Sequence, residues 1–241
     1  MRAMHFQWAG LCVCLFLATQ IFQGLCLLVW LPPPDSAAAA LGNRLHLLDV
    51  ARRLAVLGGL LAMAVPYAVI ALDRFARMPV ASLLGLVFAL FFLLLELLHR
   101  GLDLAIVSQE WAVQFAAATD AAQREALENR FRSWESATRG IYLPLLLSGL
   151  IAWTCYAIAT WNGDGERWSR LAAIAFAANA ARVLARILVA YAGATWLSFT
   201  GGLHVYLVLT IAIYGALAVW LFRRAAGVKE SAPPAAAPGA S

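Results

Sequence analysis

Residues Val80 to Asp103 read VASLLGLVFALFFLLLELLHRGLD. At about 1.5 Å of rise per residue, Val80–Leu98 is long enough as a helix to cross a hydrocarbon core of about 30 Å. Glu96 is the only acid inside any apolar run of the chain, and His99, Arg100 and Asp103 follow it on the same helical face. A second apolar run, Leu171–Leu197, carries Asn179, Arg182 and Arg186 at i, i+3 and i+7, so these three also share a face. Charge within apolar spans is costly and turns toward a bundle interior or a water-filled cavity, where it pairs. The expectation is a helical membrane protein whose polar centre brings Glu96 within ion-pair reach of Arg182 or Arg186.

The composition agrees. The chain of 241 residues is 63% hydrophobic and 13% charged, too little polar surface to clothe a soluble globule of this size. Its net charge of +5 comes from bases placed singly or in pairs at the ends of apolar runs, with no basic stripe. That pattern anchors spans against membrane lipid and argues against a nucleic-acid partner. Cys12, Cys14, Cys26 and Cys155 fall inside apolar runs with no CxxC pair, and read as small packing residues.

Six runs reach spanning length: Trp8–Trp30, Leu54–Leu72, Val80–Leu98, Ile141–Trp161, Leu171–Leu197 and Leu203–Phe222. Backbone groups in hydrocarbon must pair within their own segment, so each is read as a helix and the fold as an all-α six-helix transmembrane bundle. The first run exceeds the 7 to 15 residues, approximately, of a signal h-region and reads as a retained span. It carries Gln20 and Gln23 on one face and ends at Pro32-Pro33-Pro34. Gly58-Gly59 and Pro66 in the second run predict close packing followed by a kink.

Between the third and fourth runs, Asp120 with Gln123 reads as an N-cap and its capping-box partner. Leu127, Phe131 and Trp134 make an apolar stripe, and Glu128/Arg132 and Glu135/Arg139 are acid-before-base pairs at i, i+4. Residues 120–139 are therefore expected as an amphipathic surface helix, lying on the bundle or gating a substrate path. Pro144 opens the fourth span, and 225–241 reads as a disordered tail rich in proline and alanine. Bases flank the spans most directly on the side of the termini, which places both termini in the cytoplasm and His99–Gly140 on the far side of a bacterial inner membrane.

Several of these features occur together in one family. Glu96 late in the third span, Ser108-Gln109-Glu110-Trp111 after it, Pro144 opening the fourth span and the ending ALAVWLFRRAAG make the chain similar to a group of bacterial six-helix membrane proteins. That group is domain-of-unknown-function family 4386. The resemblance runs from the third span onward and implies the six-span fold; the family has no established activity to imply. Its pattern also has acids in the second and sixth spans, and the runs Leu54–Leu72 and Leu203–Phe222 hold none.

His46, His99 and His204 fall near the ends of three spans on one side, and Glu96 with His99 makes an E-x-x-H spacing. A single such motif falls short of the paired motifs of di-iron bundles, so no metal and no cofactor are expected. Nucleophile elbows, phosphate loops and H-E-x-x-H are absent from the sequence, and no catalytic residue is assigned. The candidate binding residues are Glu96, His99, Asn179, Arg182, Arg186 and His204. Two functions compete, with a metal-dependent membrane enzyme as a third reading behind them. A structural or accessory envelope protein with a membrane-protein partner predicts acids and arginines neutralising one another in a closed bundle. A small transporter or lipid- or anion-binding protein predicts a cavity holding an unpaired arginine.

Overall fold

The computed structural model describes residues 3–31, 34–161 and 167–230, and among these it contains helices and no strand. Among the described residues, six segments are long and apolar enough to cross a membrane: Ala3–Trp30, Leu47–Arg74, Pro79–Ala117, Ala121–Trp161, Arg167–Tyr191 and Leu203–Val228. The first is α1 (Ala3–Leu25) continued by a π-helical turn over Cys26–Trp30, and a short α2 (Ala37–Asn43) follows. The second is α3 (Leu47–Ala62) and α4 (Ala64–Arg74), interrupted at Met63. Pro66 explains the interruption, because its ring crowds the carbonyl of Ala62 and supplies no N–H to it. The third joins α5 (Pro79–Leu102), a π-helical stretch Asp103–Trp111 and α6 (Ala112–Ala117). The last three are α7 (Ala121–Trp161), α8 (Arg167–Tyr191) and α9 (Leu203–Glu230).

The spans close into a ring. α1 packs on α9, α9 on α8, α8 on α7, α7 on α5, α5 on α3 and α4, and these two back on α1. The faces of α5 show how its sequence chooses its neighbours. Ser82, Gly85, Ala89, Leu93 and Glu96 are buried and recur every three or four residues. Small residues at the first three let α7 come close, to where a Cβ on Gly85 would touch the Tyr156 ring at 3.2 Å. On the other face Leu83, Val87, Leu90, Leu94 and Leu98 are all more than 40% exposed. With Leu61, Leu72, Ile174 and Val208 similarly bare, the apolar surface is too continuous for water and suits lipid.

Four sequence expectations change. Residues 120–139 are not a separate surface helix: α7 runs from Ala121 to Trp161 without a break and carries Pro144 inside it. At 41 residues it is about 60 Å long, roughly twice a hydrocarbon core, so its first half projects beyond the bundle beside the Asp103–Ala117 extension of α5. The fifth span ends at Tyr191, not Leu197; a turn with Gly193 at φ 69° leads to a 3₁₀ segment, Thr195–Gly201. The sixth continues past Phe222 to Glu230, through the first part of the expected tail. Finally, Arg132 Nη2 meets Glu128 at 3.1 Å, but the anticipated Glu135/Arg139 pair is not formed. The rest of the tail, Pro32-Pro33 and the turn 162–166 lie outside the described residues.

The projecting hairpin has its own small core. Leu127 and Phe131 of α7 are buried with Val107, Ala40 and Leu41, and Trp134 packs against this cluster from the edge. Trp111 and Trp134 meet edge to face at 6.2 Å. The turn between the arms is tied twice. Asp120 Oδ1 accepts the Ala122 N–H at 3.1 Å, and Arg124 Nε donates to the Ala118 carbonyl at 3.0 Å.

The glycine pair in α3 yields a test with two signs. A Cβ on Gly59 would run into Thr19 Oγ1 on α1, whereas one on Gly58 meets nothing within 4 Å. Gly59→Ala is expected to destabilise by about 1–3 kcal/mol through overpacking. Gly58→Ala is expected to stabilise by about 0.5–1 kcal/mol through helix propensity. Thermal unfolding of both variants in detergent checks this, and shifts of the same sign would contradict the packing.

Candidate functional site

The ring is filled at the end near the termini and hollow at the end near the hairpin. Tyr67 of α4 stacks on Tyr156 of α7 with centroids 5.7 Å apart, and Tyr156 meets Phe176 of α8 at 5.2 Å. Tyr156 Oη donates to the Tyr67 carbonyl at 2.9 Å, and Trp153 Nε1 donates to Tyr67 Oη at 3.3 Å. This aromatic stack plugs the ring. Above it lies a cavity of about 310 Å³ to which every span contributes. Its floor is Phe16, Leu60, Phe92, Trp153 and Tyr214, and its upper wall carries four arginines against two carboxylates: Arg53, Arg100, Arg182 and Arg186 with Glu96 and Asp103.

Both acids have partners close by. Arg100, one helical turn on from Glu96, gives Glu96 Oε1 two contacts, from Nε at 2.7 Å and Nη2 at 2.6 Å. Glu96 therefore does not pair with Arg182 or Arg186, and that sequence expectation is corrected. The reason is local: acid before base at i, i+4 is a favourable spacing that holds both groups at one depth without crossing the ring. Asp103 takes Arg44 at 2.8 Å and Arg53 as well, and Asp49 takes both Arg52 and Arg53, the latter at 2.6 Å. This chain of charges ties α2 and α3 to the start of the π-helical stretch. Asp49 lies in the first turn of the second spanning segment, which begins seven residues before the apolar run Leu54–Leu72.

Arg182 and Arg186 are placed differently. Among the described residues neither has a carboxylate within ion-pair distance. Their guanidinium carbons lie 4.9 and 5.1 Å from the centroid of one ring, Tyr206. Arg182 Nη1 donates to Thr210 Oγ1 at 3.0 Å, and Arg186 Nη1 to Tyr142 Oη at 3.4 Å. Arg182 Nε is buried without a partner, as is Gln23 Oε1. Tyr206 is held in turn by donating to Gln20 Oε1 at 2.9 Å. Cation–π contact contributes about 0.5–2 kcal/mol per arginine. Two like charges one turn apart oppose each other by a few tenths of a kcal/mol. What remains is a pair of half-desolvated cations aimed at one space, with one N–H of the nearer guanidinium unanswered.

Of the candidate residues, Glu96, His99, Arg182 and Arg186 line this cavity. Asn179 stands beside it, buried, its Nδ2 directed at Tyr214 Oη at 3.4 Å. His204 is exposed at the start of α9 and is not part of the lining. His46 caps α3, its Nδ1 accepting the Leu48 N–H at 3.2 Å, and among the described residues no three side chains of the metal-ligating types converge. The sequence reading did not single out Tyr142, Tyr206, Thr210 and Tyr214. Tyr206, Thr210 and Tyr214 recur every four residues on α9, a polar stripe in an apolar span that marks its inward face. In comparisons with known proteins, no family model, no curated protein and no solved structure matches the chain.

The corrected pairing predicts a coupling pattern. A double-mutant cycle on Glu96→Gln and Arg100→Gln should give about 0.5–1 kcal/mol, small because the Arg100 side chain is 35% exposed and screened. The same cycle on Glu96→Gln and Arg186→Gln should give less than half of that. Equal couplings from chemical unfolding in micelles would return Glu96 to the arginines of α8.

Proposed function

We propose that this membrane protein binds an anionic ligand in the cavity at the hairpin end of its ring, as a small transporter or an anion-binding protein. The observation that carries the reading is the pair Arg182 and Arg186, which face the cavity on Tyr206 without a carboxylate. A purely structural charge centre would be neutralised internally, because a partly desolvated cation without a carboxylate carries a desolvation cost that no ion pair offsets. Here Glu96 and Asp103 are taken up by Arg100, Arg44 and Arg53, and the α8 arginines keep their charge for something else. An oxyanion placed between two guanidiniums receives charge-assisted hydrogen bonds, about twice as strong as neutral ones. It would also relieve the repulsion between the cations.

With the termini on the cytoplasmic side, the cavity faces outward. The aromatic stack beneath it fits a binding site or one closed state of a transporter better than an open pore.

Thermal unfolding in neutral micelles tests the proposal. At constant ionic strength, replacing chloride by acetate or inorganic phosphate should raise the midpoint. A ligand at a hundred times its Kd adds about 2.7 kcal/mol, which is roughly 5–10 °C for a chain of this size. Arg182→Gln with Arg186→Gln should abolish the rise. A midpoint indifferent to the anion in the wild-type protein counts against anion binding.

A further inference from the structure

The cavity is graded along its depth, and the grading says what kind of anion it takes. Measured by helical rise, Phe92 lies about 6 Å below Glu96 on α5, Tyr214 about 12 Å below Tyr206 on α9, and Trp153 about 16 Å below Tyr142 on α7. All six residues line the same space. The upper level is basic and rich in hydrogen-bond donors. The lower is aromatic and aliphatic, with Trp153 and Phe92 packed edge to face at 5.0 Å and Phe16 on Tyr214 at 4.7 Å.

A bare inorganic anion at Arg182 and Arg186 would leave this floor to water that finds few partners there. An apolar group attached to the anion would displace that water and meet ring faces and edges suited to aromatic contact. Size sets the other limit. About 310 Å³ holds roughly ten water-sized groups, so a compact molecule fits whole and a two-chain lipid does not.

Resting on the anion-binding reading, we infer that the ligand is a small arylalkyl carboxylate or an acid of similar shape. Its charged head lies between Arg182 and Arg186, and its ring lies on the floor formed by Phe16, Phe92 and Trp153. The two guanidiniums one turn apart match the two oxygens of one carboxylate, and Tyr142 Oη, which already accepts from Arg186, can donate its own hydrogen to the head. The apolar end goes down because the floor has no cation to receive a charge, and a single head saturates the two free arginines.

Equilibrium binding in neutral micelles separates this inference from the reading beneath it. The probes are acetate, 3-phenylpropionate, 3-phenylpropanol and inorganic phosphate, with nanodiscs containing phosphatidylglycerol as the lipid arm. 3-Phenylpropionate should bind at least tenfold more tightly than acetate or phosphate, and 3-phenylpropanol at least tenfold more weakly than 3-phenylpropionate. Phe92→Leu should shrink the phenylpropionate-to-acetate ratio at least fivefold. Arg186→Gln should weaken every anion, with correct folding checked by the unfolding midpoint of each variant. Equal affinity for acetate, phosphate and 3-phenylpropionate would overturn the inference and leave anion binding standing. Stabilisation by phosphatidylglycerol nanodiscs alone would overturn it in favour of a lipid headgroup, and no response to any anion would overturn both.

Discussion

A guanidinium drawn into a ring of apolar helices must be answered by something other than bulk water, and the hairpin end of this ring follows from how six arginines are answered. Four are met by acids near them: Arg100 by Glu96, and Arg44, Arg52 and Arg53 by Asp103 and Asp49. The two on α8 are met by a tyrosine face and by hydroxyls. The difference is one of supply. Acids are scarce in the ring, and Glu96, Asp49 and Asp103 are each committed to a contact that fixes one helix against another or stiffens its own turn. Asp73 serves the same end at the other side of the ring, where it meets Arg224 of α9 at 3.4 Å and its neighbour Arg74 at 3.1 Å. Arg74, almost wholly buried, lies over Trp220 and donates to Ser169, which joins α4, α8 and α9. With the carboxylates used in this way, the α8 pair keeps a net positive charge inside the ring.

The spans were legible from the sequence because hydrocarbon enforces a single rule, that backbone groups pair within the segment, and run length then does the rest. The kink at Pro66 and the close approach at Gly59 were legible for equally local reasons. What lay beyond reading was continuity. Nothing at Gly140 or Pro144 announces that a polar helix and an apolar one are a single 41-residue rod, because each half satisfies its own pattern and a proline ordinarily marks a helix start. The hairpin exists because the two arms bury Val107, Leu127 and Phe131 against each other and against α2, a tertiary gain that no single window of sequence displays.

The charge centre divides in the same way. That Glu96, Arg182 and Arg186 face one interior could be read from helical periodicity, since each lies on the polar side of an otherwise apolar helix. The partner of Glu96 could not be read by matching depths across the ring, although Arg100 stood one turn away in the same helix. When two partners compete for a carboxylate, the local one has the advantage, because it needs no particular packing of a second helix and loses less side-chain freedom. The tyrosine under the arginines was hidden for another reason. Tyr206 belongs to a stripe with Thr210 and Tyr214 whose hydroxyls are too weakly polar to stand out in a hydropathy scan.

The same geometry bears on whether a ligand bound as proposed could pass through. Below the cavity the ring is filled by Tyr67, Tyr156 and Phe176, and the first two are locked by the hydrogen bond from Tyr156 Oη to the Tyr67 carbonyl. Tyr67 sits four residues beyond Met63, where α3 gives way to α4, so the helix that carries one half of the stack already has a joint in it. The stack and this hydrogen bond hold α4 against α7 away from the hairpin, while Asp49 and its arginines hold α3 to the hairpin end. On the anion-binding proposal, opening of this plug is what would separate a protein that only holds its ligand from one that moves it.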